Sequence, residues 1–453
     1  MELVTAGRVV AVTIHASSGQ DGGEWTAGEA WPVHLSLGVT VRAPDVFFVA
    51  PHLDSGLSVD AFLIQQFDAL DESTVTIEGD PNPDGGYVHI GIPVGGESLT
   101  DVFDVGIADY KSDSLAGLTP LPVVVSHAWI QANAAAVWVG PYGALTVGPN
   151  PVHVGTWDGR VSRTGGGAVG LACQGLPWAP AYVADVGGAP LQIDSQTTGI
   201  SAGDDCQLTL EHGPTIGRSP DGGYNSCPSD ISDEGGIVIG GAASATLGSQ
   251  SEPATIQCQR GSGITLGQSL SGRAPSVYFI GTIKNIACFG LNVHAGYAAA
   301  YATDLSYCNT AVWAADSSSV DLSGDLGGVR YFPSNRVFCT SSMETEGGAE
   351  CGYWGVSGAE ELGPDGTGLA NFTSSTVRAE NVLWSSWDAA ADQPPLWVCQ
   401  DATLEDCTCQ SGGCPDGGAS HVPLTLGATA VYLAGNPQPF SFDGGGLYDV
   451  ACQ

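Results

Sequence analysis

Residues 288–325 read CFGLNVHAGYAAAYATDLSYCNTAVWAADSSSVDLSGD, in which one alternating pattern is passed through twice. At a shift of twenty, Leu291, Val293 and Ala295 fall on Ala311, Trp313 and Ala315, and Ala300 and Ala302 fall on Val320 and Leu322. Within each copy the apolar positions change from odd to even. Alternation marks a strand with one buried face, and a change of parity marks a corner between two strands. AVWVGPYGALTV (136–147) and AVWAADSSSVDL (311–322) share a tryptophan followed by apolar residues seven and nine positions on. LWVCQDATLED (396–406) keeps the tryptophan and Leu404 at the first of those intervals. A unit this short cannot bury its own apolar face, so the copies must stack and share a continuous core.

The remaining sequence agrees with strands joined by tight turns. The 65 glycines and 27 prolines punctuate short apolar runs, and no long stretch carries apolar residues at helical spacing. The expected class is therefore all-β. Pro-Asp-Gly recurs at 83–85, 220–222, 364–366 and 415–417. Its proline presets one turn position and its glycine accepts positive φ. Residues 200–260 carry few obvious strands, and the expectation there is a long excursion from the stack, stapled by Cys206 and Cys227.

Parallel stacking brings equivalent positions of adjacent coils to about 4.8 Å in the hydrogen-bonding direction. Cys288 and Cys308 would then lie within disulfide reach, and a bond between them is expected. In packing, Trp138 and Trp313 share the inward parity of their apolar neighbours.

These coil patterns, G290LNVHAGYAAAYATDLSYC308 and G143ALTVGPN150 among them, resemble the right-handed parallel β-helix of the pectin-lyase-like superfamily. GEAWPVHLSLGVTVRAP (28–44) resembles the N-terminal cap of secreted bacterial β-helix proteins of unknown function. The resemblance implies a cap with the first strands over residues 1–109, and a solenoid over 110–430 with its excursion at 200–260. A C-terminal cap would occupy 431–453.

Charge limits the partners. Twelve basic against 48 acidic residues give a formal charge of −36, which repels nucleic acid and anionic membrane surfaces. Neutral glycans, a protein partner or further copies of the chain remain. All thirteen cysteines lie after residue 172, and their number fits an oxidising compartment. No apolar stretch has the length of a signal peptide or a membrane span. The expectation is an extracellular or cell-surface protein, not inserted in a membrane, whose export signal has been removed.

Several constellations bear on chemistry. Asp80, Asn82 and Asp84 alternate before Gly85, the opening of a calcium-loop pattern, although the twelfth position is Gly91 and not a carboxylate. The choice is between calcium and a polar turn. Asp204 and Asp205, with His212 after them, resemble the acids and histidine of β-helix hydrolases that cut polygalacturonan. An inverting hydrolase needs an acid and a base across the scissile bond. That family's Asn-Thr-Asp and Arg-x-Lys motifs are missing here. GISAG (199–203) matches a serine-hydrolase elbow, but no helical pattern follows it. CTCQSGGC (407–414) suits a disulfide-stapled cap better than a zinc site. Trp354, Trp384 and Trp387 sit among polar residues, where exposed indoles would stack on sugar rings. The leading expectation is a structural, adhesive or glycan-binding protein that requires no cofactor. The alternative is a polysaccharide-degrading hydrolase or lyase with Asp204 and Asp205 as acid and base.

Overall fold

A computed structural model describes residues 39–48, 60–64, 74–82, 84–91, 103–109, 121–155, 169–187, 191–194, 197–217, 235–259, 261–267, 273–315 and 318–322. Strand segments are also described before and after these ranges. Regular structure among the described residues is β throughout. The chain divides into two compact units, Met1–Gly217 and Arg218–Gln453.

In the first unit, from Gly22–Trp25 onward, strands pair in parallel with the strand three places further along, which is the wiring of a solenoid with three strands per coil. One column contains Val33–Leu35, Phe62–Ile64, Val105–Asp109, Ala135–Val139, Val169–Gln174 and Thr198–Gly203. The second contains Val39–Arg42, Val75–Glu78, Leu121–Ser126, Gly143–Val147, Ala181–Asp185 and Cys206–Leu210. The third runs from Gly22–Trp25 and Val46–Phe48 through Val88–Ile90, Ala128–Ile130, Val152–Gly155 and Leu191–Asp194 to Thr215–Ile216. Parallel stacking thus already includes Val33–Leu35. The free edge of Val39–Arg42 is covered by Glu2–Thr5, which pairs with it antiparallel and forms a hairpin with Arg8–Val10. Such a cover removes an open edge that would otherwise invite another chain.

Inside the coils, Val75, Val123, Leu145, Val183 and Leu208 hold one interior file of the second column, each at most 2% exposed. Removing each such side chain from water contributes about 1.5–3 kcal/mol. Phe48 and Phe62 meet edge to face at 5.1 Å in the same interior. Glycine is demanded at the head of the first column. A Cβ on Gly170 would stand 2.4 Å from Cγ2 of Ile193, so the corner closes only without a side chain there.

The second unit repeats this wiring. Gly235–Ile239, Ser244–Leu247 and Ala254–Gln259 make one coil, and Ser262–Leu266 opens the next. Ser276–Val293 and Gly296–Ala314, 18 and 19 residues long, then pass through all three columns as continuous strands paired in parallel with each other. Gly263 stands at the same corner as Gly170 does in the first unit, with a Cβ position 2.5 Å from Cγ2 of Ile283. Asn335 braces a later corner from within. Its Nδ2 donates to the carbonyls of Ala300 and Leu322, at 2.8 and 2.7 Å, and its Oδ1 accepts from the Thr303 amide at 3.0 Å.

Four expectations change. Residues 200–217 and 235–259 contribute coil strands and not an excursion; 218–234 and 260 fall outside the described residues. Ile237, Ile239, Leu247 and Ile256 fill the interior of 235–259 beside the small Ala245 and Ala254, all of them buried. Cys206 bonds to Cys173, with Cα atoms 5.8 Å apart, while Cys227 lies outside the described residues. The repeat is also not twenty residues: Leu291 pairs with Val312 and Ile286 with Cys308, shifts of twenty-one and twenty-two.

Cys288 therefore does not reach Cys308. Cys288 and Cys258 are both in disulfides, whereas Cys308 remains a buried thiol whose Sγ donates to the Ile283 carbonyl at 3.7 Å. The fourth change concerns the tryptophans, which do hold like positions in their strands but on the outer side. Trp138 packs on Leu63, Val105 and Ala108, and Trp313 on Phe289 at 5.2 Å.

Burial pushes the Cys308 thiol up, with the nearby Asp304 charge adding to the effect. Alkylation of the native protein followed by mass mapping should leave Cys308 unlabelled, and unfolding should expose it; labelling of native Cys308 would contradict this packing. Removing the Cys173–Cys206 bond, which spans 33 residues, should lower stability by about 2–4 kcal/mol in denaturant titrations.

Asp109 is a second buried group with a measurable consequence. It points into the coil in register with Ile64 and Val139. Its Oδ2 accepts the Ala144 amide at 3.0 Å, and its Oδ1 has no hydrogen-bond partner. Burial raises its pKa to about 8, against the lowering effect of the Ala144 bond. The folded state thus keeps a proton that the unfolded chain releases near its ordinary value of 3.8, and stability falls as pH rises from there to about 8. Asp109→Asn should remove this loss, worth at most about 1.4 kcal/mol per pH unit. Its melting advantage over the natural protein should be largest at pH 8 and vanish near pH 4; an equal difference at both would refute the assignment.

Candidate functional site

The third column of the first unit is built from very short strands: VHI (88–90), AWI (128–130), VHV (152–154) and LQI within Leu191–Asp194. In each, two apolar side chains turn inward and the residue between them turns out. Parallel register then places His89, Trp129, His153 and Gln192 in one outer file. Adjacent coils lie one strand spacing apart, so flat side chains in such a file come into stacking contact. The rings of Trp129 and His153 are 4.6 Å apart and inclined by only 24°.

Two further rings enlarge this face. Tyr87 precedes the first of these strands, and its ring centroid lies 5.4 Å from that of His153 and 6.1 Å from that of Trp129. His127 forms the corner before Ala128 with φ of 49°, a left-handed conformation that histidine adopts more readily than most residues. Its imidazole meets the Tyr87 ring edge to face at 4.1 Å. Its Nδ1 donates to the Asp80 carbonyl at 2.7 Å, which fixes the proton there and leaves Nε2, buried and without a hydrogen-bond partner, as an acceptor in the neutral ring. His89 and His127 are buried, whereas Tyr87, Trp129 and His153 are half-buried.

The DPNPDGG turn (80–86) lies beside this face. Asp80 Oδ1 accepts the Asn82 amide at 2.8 Å and Asn82 Oδ1 the Asp84 amide at 3.5 Å. Asn150, two coils further on, donates through Nδ2 to the Pro81 carbonyl at 3.2 Å, tying the turn down. Two of the oxygens expected to meet a cation thus serve local backbone turns. No group of three or more His, Cys, Asp or Glu side chains arranged to hold a metal occurs among the described residues.

Electrostatically the face is neutral at physiological pH. Burial lowers the His89 pKa to about 4, against the opposing pull of the Asp45 carboxylate. Burial also lowers His153, with a smaller contribution from His127, while a hydrogen bond with the Gln192 side chain, its amide oxygen accepting, works the other way. Two uncharged imidazoles, an indole and a phenol make a surface that is apolar across its rings and polar at its edges.

No family model, no curated protein and no solved structure matches the chain. Its chemistry must be read from the residues themselves.

The other candidates are less well assembled. Asp204, with φ of 46°, and Asp205 form the corner that leads into Cys206–Leu210, whereas His212 follows the opposite end of that strand. Seven residues of extended chain separate Asp205 from His212 by about 20 Å. The His212 amide is held by Asp185 Oδ2 at 3.0 Å. These three residues do not converge on one substrate bond. Ser201 of the GISAG stretch lies within the strand Thr198–Gly203, with no helix after it among the described residues. Trp354 and Trp387 lie outside the described residues. Trp384 stands in Val382–Ser386, in register with Val337 and Tyr432.

None of the sequence patterns singles out Tyr87, His89, His127, Trp129 or His153. The available signal was the recurrence of an apolar-ring-apolar triplet in VHI, AWI and VHV. Because neutral His89 is favoured only in the folded state, its contribution to stability should be lost as pH falls from 6.5 through about 4. His89→Phe keeps a ring at the site and should flatten that loss, at most about 1.4 kcal/mol per pH unit, in melting curves. An unchanged acid limb would show that His89 is not held neutral by burial.

Proposed function

We propose that the chain is a secreted or cell-surface protein whose solenoid is a right-handed parallel β-helix of the pectin-lyase-like kind, with a structural or adhesive role exercised by binding neutral glycans. Crossovers between parallel strands of one sheet are almost always right-handed, which supports the hand. The glycan reading rests on one observation: Trp129 and His153 stacked at 4.6 Å in a half-buried face that Tyr87 extends. Aromatic faces receive the C–H side of a sugar ring, and the Tyr hydroxyl, indole N–H and imidazole edges offer hydrogen bonds to its hydroxyls. The formal charge of −36 disfavours uronates and sulfated polymers at this surface. Binding of this kind needs no cofactor. The separation of Asp205 from His212 along the two ends of Cys206–Leu210 favours binding over hydrolysis at the acid pair.

Calorimetric titration with neutral oligosaccharides, with polygalacturonate as the charged control, tests the proposal. The natural protein should bind a neutral glycan, and Trp129→Ala should weaken that binding about tenfold, the loss of one good ring contact. Reducing ends should not accumulate. Failure to bind any neutral glycan, or release of reducing ends that Asp204→Asn together with Asp205→Asn abolishes, would overturn it.

A further inference from the structure

Trp178 is the most exposed large apolar side chain among the described residues, with 67% of its surface open to solvent. It is nevertheless carried on a rigid support. Leu176 and Ala179 exchange both backbone hydrogen bonds at 2.9 Å, making a tight turn with Pro177 and Trp178 at its tip. Ala179 is completely buried, and Pro180 follows it. Three residues before Leu176, the Cys173–Cys206 disulfide ties this coil to the next. An indole so displayed adds little to folding, while its fixed backbone reduces the ordering cost of meeting a ligand.

The neighbouring structure supplies the polar half of a site. The Gly175 amide donates to the Gly203 carbonyl at 3.4 Å, and the Ala181 amide to that of Asp205 at 3.3 Å. A Cβ on Gly175 would come within 2.5 Å of the Asp205 carbonyl oxygen, so the two corners are in direct backbone contact. The Trp178 turn and the half-exposed Asp204–Asp205 corner are therefore neighbours on adjacent coils, where the first column passes into the second.

We infer that Trp178 with Asp204 and Asp205 forms a second contact for a neutral polysaccharide, with the indole stacking on a sugar ring and the carboxylates accepting its hydroxyl protons. The pair of aspartates, read from sequence as an acid and base, serves here as a hydrogen-bonding clamp. Their charge excludes anionic sugars from the same place. The inference rests on the glycan reading but concerns a different corner, since the Tyr87, Trp129 and His153 face belongs to the third column.

The test compares the full chain with Trp178→Ala, Trp178→Phe and Asp204→Asn/Asp205→Asn. Probes are insoluble cellulose, soluble mixed-linkage glucan and arabinoxylan, with polygalacturonate as control. Trp178→Ala should reduce binding of the neutral polymer about five- to tenfold with an unchanged melting temperature, because the ring is exposed. Trp178→Phe should recover most of the affinity, and the double Asn variant should weaken neutral binding. If the natural protein binds a neutral polymer and Trp129→Ala weakens it but Trp178→Ala does not, this inference alone falls. If the natural protein binds none of them, the glycan reading falls as well. Self-association measured by ultracentrifugation that Trp178→Ala abolishes, without an effect on glycan binding, would assign the indole to a second copy of the chain and overturn the inference.

Discussion

Every feature of these two units depends on the parallel backbone ladder between coils. A single coil has too little interior to hold itself closed, and its amides and carbonyls point along the stack with nothing inside the coil to meet them. Pairing with the next coil satisfies those groups and joins one small apolar interior to another. It also fixes the spacing at which any outward side chain meets its counterpart. Trp129 and His153 stack because the ladder between Ala128–Ile130 and Val152–Gly155 sets them in register one strand spacing apart. The same ladder, drawn through Gly175 and Asp205, sets the Trp178 turn beside the Asp204–Asp205 corner.

The sequence reveals the ladder's existence more readily than its register. Alternation in GLNVHAGYAAAYATDLSYC correctly announced strands and corners, because inward Leu291, Val293, Ala298 and Ala300 are buried. Period-two patterns, however, do not count the residues consumed at corners. Ala302 takes a left-handed φ of 48° at one of them, and the pairing slips between Ile280 and Thr282 and again between Ile286 and Phe289. Those irregularities displace the repeat by one or two residues, enough to separate Cys288 from Cys308. The better marker was the corner itself. A small residue followed by a branched one, as in Gly170-Leu171, Gly199-Ile200, Gly236-Ile237, Gly263-Ile264 and Gly290-Leu291, recurs where the first column begins. Steric closeness at Gly170 and Gly263 explains why, and it accounts for GISAG without an elbow. The aromatic face was harder to see because a three-residue strand gives alternation only one outward position, and its meaning appears when four coils are superposed.

The acidic character of the chain and the neutrality of its aromatic face are complementary. A surface dense in carboxylates repels other acidic chains and keeps a stacked polymer of strands soluble. A charged histidine at position 89 or 153 would draw those carboxylates inward and hydrate the rings. Burial suppresses that charge at both positions, leaving an uncharged patch within an acidic field. Neutral, hydroxyl-rich ligands meet no electrostatic penalty there, whereas polyanions are turned away before contact.

Two buried groups in the first unit also pull stability in opposite directions with pH. Between about 4 and 6.5, folding excludes a proton from His89 and retains one on Asp109, so their contributions to the slope cancel to first order. Above 6.5 the histidine is neutral in both states and the aspartic acid acts alone, up to about 8. For these two groups, then, acidification to the mildly acidic range carries no net penalty, while mild alkalinity does.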